Sequence, residues 1–572
     1  MSEITGGELF ARCLANEGIK HVFGLPSPEI DPLFASFEKN GIRLIPIRHE
    51  SAGVHMAEGL YKSTGQASAV FGNPGPGSAN LLPGIFTARH EGVPVIAITS
   101  QHRMGNSYPS PPSTFQGQDQ LEIFKPGVKW GGPVFEWGRI AEVMRLAFRA
   151  MWDGRPGPVH VEVPAPVMYA VGEEDEQPVI PPSAYRPSLP QASAAQIGQA
   201  ADLLADAKRP VIVVGTGVDR ARANAEVAEL ASLLGCPLIP TQAGRATVPA
   251  ENPNYVFGFG DGGNQARLEA DVILIAGSRA GNLDLPYDKY WGDPGKQSVI
   301  QIDIDGFHIG VTRPLTLGMV ADIKDSLAGI VAELGKRGTT PSAEAGPALE
   351  GARATDQAWR EEQARIATEW EGPGIHPAHA IEVIGETFGE DAIYTVDGGL
   401  TSVWAYSGLP STKPNSYHSI LELGMLGTGI PSAIGSKLGQ PERDVVCVTG
   451  DGAAGFNFME MQSAARDSIA VTTIVFAEGS WTMEEPNERA LYGKTFGTDQ
   501  GEIRWDQVAE GLGCHSEYVD DLAGLGPALE RCRESGRPSV VCLKTDRDAN
   551  LAIPPGMAAR WTEIQAGPIP GV

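Results

Sequence analysis

The chain is poor in cysteine and in positive charge, and it has no long hydrophobic run. Six cysteines (Cys13, Cys236, Cys447, Cys514, Cys532, Cys542) are scattered over 572 residues without a C-x-x-C pair. Such spacing argues against a disulfide framework or a zinc ribbon and suits free thiols in a reducing, cytoplasmic compartment. Lys and Arg number 44 against 70 Asp and Glu, a formal net charge of −26. Nucleic-acid binding needs clustered positive charge, so no such partner is expected. A phosphate-bearing ligand then has to be held by local amides and a cation. No apolar run approaches the ~20 residues of a membrane span, so no membrane partner is expected either. The opening Met1-Ser2-Glu3-Ile4-Thr5-Gly6-Gly7-Glu8 is too polar for a signal peptide.

What is present is a globular composition, 42% apolar and 20% charged. The length suits about three domains of roughly 150–200 residues. Between Thr5 and about Ser100, strand signals at 21–24, 44–47, 67–71 and 93–98 alternate with helical stretches near 30, at 51–63 and at 79–89. Strands separated by helix-length segments predict a parallel, doubly wound sheet. The Pro-, Ser- and Gly-rich stretch from His102 to Gln118 reads as a loop over the end of that sheet. Acidic, proline-rich sequence from Glu173 to Pro190 reads as a linker, and Gly338 to Ala352 as a second one. The first and third units share a rhythm, as duplicated domains would. The expected fold class is α/β, three doubly wound parallel-sheet domains, with limits at 1–175, 190–337 and 365–555.

One stretch concentrates the chemistry. The apolar run Val445-Val446-Cys447-Val448 leads into Thr449-Gly450-Asp451-Gly452, then a helix-like segment from Phe456 to Arg466. A second apolar run, Val471 to Phe476, leads into Ala477-Glu478-Gly479-Ser480-Trp481. A carboxylate at the end of one parallel strand beside polar groups at the end of the next is a platform for a metal and a diphosphate. An Asp-Gly turn alone is common and carries little. Two neighbours strengthen it: Gly424-Met425-Leu426-Gly427, a flexible turn with an apolar wedge, and Asp397-Gly398-Gly399-Leu400, a small-residue turn able to offer amides to phosphate.

With these motifs the chain resembles the thiamine-diphosphate-dependent family of acetolactate synthase, benzaldehyde lyase and pyruvate decarboxylase, over essentially its whole length. Arg48-His49-Glu50-Ser51-Ala52-Gly53 resembles the family's Glu-Ala-Ala segment, and Asn73-Pro74-Gly75-Pro76-Gly77-Ser78-Ala79-Asn80 its Gly-Pro-Gly-x-x-Asn turn. The resemblance implies pyrimidine-binding, central and diphosphate-binding domains in that order. It implies that Glu50 hydrogen-bonds the cofactor's aminopyrimidine and promotes loss of the thiazolium C2 proton. Leu426 takes the place of the residue that bends the cofactor, with Gly424 beside it. Asn80, Gly399, Leu400, Gly452, Ala453 and Met483 complete the implied cofactor set.

Asp451 is the implied metal ligand, for Mg2+ or Ca2+. Here the chain departs from its family, whose usual Asn-Asn is replaced by Ala477-Glu478. Glu478 falls where the second asparagine would ligate, and Ser480 where a main-chain carbonyl would. On the substrate side, Gln116 matches a glutamine of the lyase and acetolactate branch. Glu29 sits where that lyase can carry a histidine, and Glu484 matches a pyruvate decarboxylase glutamate.

The expected activity is acetolactate-synthase-like decarboxylation of a 2-oxo acid with carboligation. Simple decarboxylation or cleavage of a 2-hydroxy ketone is the alternative, and a non-catalytic cofactor-binding homologue is the reading from another class. The family resemblance further implies a homodimer or homotetramer with shared sites, and FAD, ADP or nothing in the central domain.

Overall fold

The computed structural model describes residues 3–108, 113–258, 260–281, 291–411, 413–419 and 423–551. Three parallel sheets account for the strands, apart from a short antiparallel pair that ties Glu3–Thr5 to Val171–Glu173. The N-terminal sheet runs Arg43–Pro46, His21–Gly24, Ser68–Gly72, Val95–Gln101, Val159–Pro164, Trp130–Pro133. The C-terminal sheet runs Tyr417–Ser419, Ile393–Asp397, Val445–Gly450, Thr472–Phe476, Ser539–Leu543, His515–Val519. Numbered by position along the chain, both orders are the same, so the shared rhythm of the two units is a shared topology. The central sheet has five strands, with Pro210–Val214 lying between Leu238–Pro240 and Val272–Ala276. Strands such as Val95–Gln101 and Thr472–Phe476 are buried along their whole length, as parallel strands covered on both faces by helices must be.

The two outer domains share one core. Phe23, Val54, Met56 and Val70 pack in the same cluster as Ile430, Ala433, Val445 and Cys447. The seam is the contact of helix Glu50–Thr64 with helix Gly429–Gly439, each of which follows the second strand of its own domain. A Cβ on Gly59 would lie 1.9 Å from the Ser432 carbonyl oxygen, and one on Gly435 would lie 1.8 Å from that of Met56. Only glycine lets the backbones approach so closely. The contact is reciprocal, as between two copies of one motif.

Several expectations need correction. Part of the expected linker 338–352 belongs to a 24-residue helix, Ala345–Thr368. Few of its residues are buried (Ala345, Ala352, Asp356, Ala367), so no apolar stripe announces it. Tertiary bonds fix it instead: Asp356 accepts the N–H groups of Phe257 and Gly262 at 2.7 and 3.2 Å. The helix expected over 456–466 is two, Asp451–Asn457 and Glu460–Arg466. The helix near residue 30 is two short turns, Pro28–Ile30 and Asp31–Phe34. Within the expected loop 102–118, residues 109–112 lie outside the described residues. All six cysteines are buried and free.

Candidate active site

The N-terminal half of the site is built at the start of helix Glu50–Thr64. The His49 ring caps the helix by accepting the Ser51 N–H, and Glu50 follows as the first helical residue. Glu50 is 5% exposed. Asn80 Nδ2 donates to its Oε2 at 3.0 Å, while a Cβ on Gly77 would lie 3.1 Å from Oε1. Among the described residues no hydrogen bond reaches Oε1. Gln116 lies on a loop packed against Gly75, two residues from Gly77. Its φ of +56° is a left-handed conformation that a non-glycine residue holds only under constraint. A Cβ on Gly75 would lie 2.8 Å from the Cβ of Gln116. Glu29 is bound by the Ser27 hydroxyl in its own turn and has no hydrogen bond to Glu50 or Gln116.

The C-terminal half gathers at the ends of two adjacent strands, Ile393–Asp397 and Val445–Gly450. Each feeds directly into a helix, Gly399–Gly408 and Asp451–Asn457, so the first turns of two helices lie side by side, with the Gly452 N–H held by the Asp451 carboxylate. Gly398, with φ +98°, lets the turns meet, since a Cβ there would lie 3.0 Å from the Gly450 nitrogen. Gly399 backs onto Met483 and Gly452 onto the Trp481 ring, with added Cβ atoms at 2.5 and 2.4 Å. Leu400 and Ala453 are buried in the first turns of the two helices. Gly424, at φ +66°, and the half-buried Leu426 lie in the turn ahead of helix Gly429–Gly439. That turn is tied down by Gly429 N–H to Asp397 at 2.8 Å and by Asn457 Nδ2 to the Gly427 carbonyl at 2.7 Å.

Asp451 is buried and accepts three main-chain N–H groups, from Gly452 at 2.8 Å, Glu478 at 2.8 Å and Gly479 at 2.5 Å. Burial raises its carboxyl above the ordinary aspartate range, and the amides oppose that rise. Burial raises Asp397 likewise. The Glu478 carboxylate takes Thr482 Oγ1 at 2.5 Å, Asn550 Nδ2 at 2.5 Å and Thr545 Oγ1 at 3.2 Å. Burial pushes Glu478 up to about 7, with a further contribution from Asp451. Ser480 is buried, its hydroxyl donating to Glu485 and to the Thr498 carbonyl. Glu484 is exposed, whereas Glu485 is buried and ion-paired with Arg489 and Arg547.

The structure thus places Asn80 on Glu50 and Gln116 against Gly75, and it sets Gly399, Leu400, Gly452, Ala453, Met483 and Asp451 around the adjoining ends of two strands. No hydrogen bond among the described residues joins the two sets. Sequence reasoning missed Gln500, whose buried Nε2 has no partner among the described residues and lies 3.0 Å from where a Gly452 Cβ would be. It also missed Glu460, which accepts the N–H groups of Arg48 and His49 at 2.8 and 3.0 Å. Neither residue stands in a pattern that sequence alone would flag.

This donor set fits a diphosphate. It combines two adjacent helix N-termini, small residues where the ligand's backing has to be close, and an orphaned amide donor. Asp451 also suits Mg2+, which takes one or two carboxylates and keeps phosphate oxygens and water for the rest. Among the described residues no group of three His, Cys, Asp or Glu side chains is arranged to hold a metal. In the central domain a cleft of about 390 Å3 opens beyond the strand ends, between Gly215–Gly217 and Gly277–Arg279. It lies where the strand order reverses, the usual ligand crevice of such sheets.

Comparison with known proteins gives the family. Family models of the thiamine pyrophosphate enzymes match in order: the N-terminal TPP binding domain over residues 4–123, the central domain over 197–330 and the C-terminal TPP binding domain over 397–543. The acetolactate synthase large subunit of Corynebacterium glutamicum is 30% identical, covering 99% of this chain and 89% of its own. The sulfoacetaldehyde acetyltransferase of Castellaniella defragrans is 29% identical over 93% and 91%. The glyoxylate carboligase of Escherichia coli O157:H7 is 29% identical over 94% and 93%. The chain belongs to the thiamine pyrophosphate enzyme family and is a thiamine-diphosphate-dependent enzyme of the carboligase and lyase type.

Proposed function

We propose that the enzyme decarboxylates a 2-oxo acid and ligates the resulting acyl unit to a second carbonyl, as acetolactate synthase does. The observation that carries this reading is Gln116, held at positive φ against Gly75, two residues from the Gly77 that lies against Glu50. Bound thiamine diphosphate supplies a carbon nucleophile and a sink for the electrons of the broken C–C bond. The chain's own residues do the rest. Asn80 occupies Oε2 of Glu50, so Oε1 would be the atom that holds and passes a proton at the aminopyrimidine edge. Gly424 and Leu426 would set the ring, and the amides following Gly398 and Gly450 would take the diphosphate, with Met483 backing Gly399. Asp451 and the Ser480 carbonyl would be the protein ligands of Mg2+. Gln116 would orient the substrate carbonyl, with Glu29 as a further acid.

The family resemblance supports a homodimer or homotetramer in which Glu50 of one protomer faces the diphosphate domain of its partner. For the central cleft the alternatives are FAD, ADP or nothing; flavin absorbance of the purified protein would mark FAD, and nucleotide released on denaturation would separate ADP from an empty cleft. The domain limits 1–175, 190–337 and 365–555 and a cytoplasmic location belong to the same proposal. No helix among the described residues is long and apolar enough to cross a membrane.

A second reading, decarboxylation or acyloin cleavage without ligation, is favoured by Glu484, whose exposed carboxylate follows Met483. Incubation of the Mg2+- and cofactor-loaded protein with pyruvate, benzoylformate and benzoin, with product identification, tests both. Acetolactate from pyruvate alone supports the first. Free acetaldehyde or benzaldehyde supports the second. Turnover of none of the three would remove both.

A further inference from the structure

Glu478 stands where the family resemblance implies a metal-ligating asparagine, and its carboxylate has other partners. Its main chain and side chain face different tasks. The N–H groups of Glu478 and Gly479 hold Asp451, at 2.8 and 2.5 Å. The carboxylate is already engaged by three donors, Thr482 from its own loop and Thr545 and Asn550 from the C-terminal segment. Asn550 is 1% exposed, and Trp404 Nε1 donates to its Oδ1 at 2.5 Å. Indole N–H is only a donor, so this bond fixes the orientation of the Asn550 amide and aims Nδ2 at Glu478. A position that must receive three donors is better served by two carboxylate oxygens than by the single oxygen of an asparagine. Glu485, farther along the loop, grips the same segment through its ion pair with Arg547.

We propose that Glu478 lies outside the metal's coordination in this enzyme and anchors a clasp that ties the segment Thr545–Leu551 to the loop supporting Asp451. The inference rests on the reading of Asp451 as the metal-side carboxylate. The metal then keeps Asp451 and a main-chain carbonyl as its protein ligands, and the rest of its shell is phosphate and water, which Mg2+ tolerates.

The test compares Glu478→Ala with Asn550→Ala, which breaks the clasp from its other side without touching the loop. Mg2+ titration in the presence of thiamine diphosphate should give the two variants half-saturation values within about threefold of each other. Amide exchange across 545–551, followed by mass spectrometry without cofactor, should quicken at least tenfold in both. Glu478→Gln, which keeps an acceptor for Asn550, should exchange more slowly than Glu478→Ala. A loss of Mg2+ affinity more than threefold larger in Glu478→Ala than in Asn550→Ala would overturn the proposal. So would exchange across 545–551 that is unchanged in Glu478→Ala. A wild-type protein that takes up no thiamine diphosphate defeats the preceding functional reading, and the exchange arm still decides the clasp.

Discussion

Helices Glu50–Thr64 and Gly429–Gly439 occupy the same place in two domains of identical strand order, and they meet through reciprocal glycine contacts. Met56 stands to Gly59 as Ser432 stands to Gly435. Six residues before Met56 lies Glu50, a buried acid; six before Ser432 lies Leu426, a half-buried apolar side chain. Glu50 opens its helix, whereas Leu426 lies in the turn ahead of the other helix, so the same spacing meets different backbone in the two domains. The strand ends diverge in the same way. The N-terminal domain offers side chains (Glu50, Asn80, Gln116), whereas the C-terminal domain offers main-chain amides and a carboxylate bound by them. Fold symmetry fixes where a site can form, and the residue at each equivalent position decides what it does.

The largest effect should come from Glu50→Gln. It leaves the helix start intact but removes the ionisable group, so exchange of the cofactor's C2 proton, read by quenched NMR, should fall about 10²- to 10⁴-fold. Cofactor affinity should change little, and retained exchange would refute the role assigned to Glu50. Gly59→Ala or Gly435→Ala attacks the seam instead. The new Cβ meets a carbonyl oxygen of the facing helix, and urea unfolding should show a loss of about 3 kcal/mol for either variant. The pair should cost less than the sum, because both strain the same contact.

Asp356, outside both helices, gives a control with a pH signature. Burial holds its carboxyl up at about 6, against the pull of the Phe257 and Gly262 N–H groups. An acid raised in the folded state stabilises fully below its ordinary range and loses that contribution as pH rises through the raised value. Stability should therefore fall by about 2–3 kcal/mol from this group between pH 4 and 7. Asp356→Asn should flatten that slope while lowering overall stability through a lost acceptor. The smallest effect is expected of Gly452→Ala, whose Cβ presses the Trp481 ring, a side chain that can yield. Thiamine diphosphate affinity should drop about tenfold, roughly 1.4 kcal/mol, with little change in unfolding.

The motifs of the candidate site were legible because they are local. The turns at Asp397–Leu400, Gly424–Gly427 and Gly450–Gly452 are short segments in which small residues follow apolar strands, and each needs only its own sequence to be recognised. Helix Ala345–Thr368 was hidden because its hold is Asp356 bonding to residues about a hundred positions away. Glu485 was passed over for the neighbouring Glu484, since an acidic run does not reveal which carboxylate meets Arg547.

The sequence by itself determined three α/β units and the residues at each strand end, because strand periodicity and turn chemistry are written in contiguous residues, and its resemblance to a family pointed to the cofactor class. Only the tertiary structure decided that the outer domains share one core, that their seam is a reciprocal glycine contact, and that the Glu478 carboxylate faces Thr545 and Asn550. These depend on which backbones approach closely enough and which donors converge on one oxygen, and distance in space is not encoded in distance along the chain.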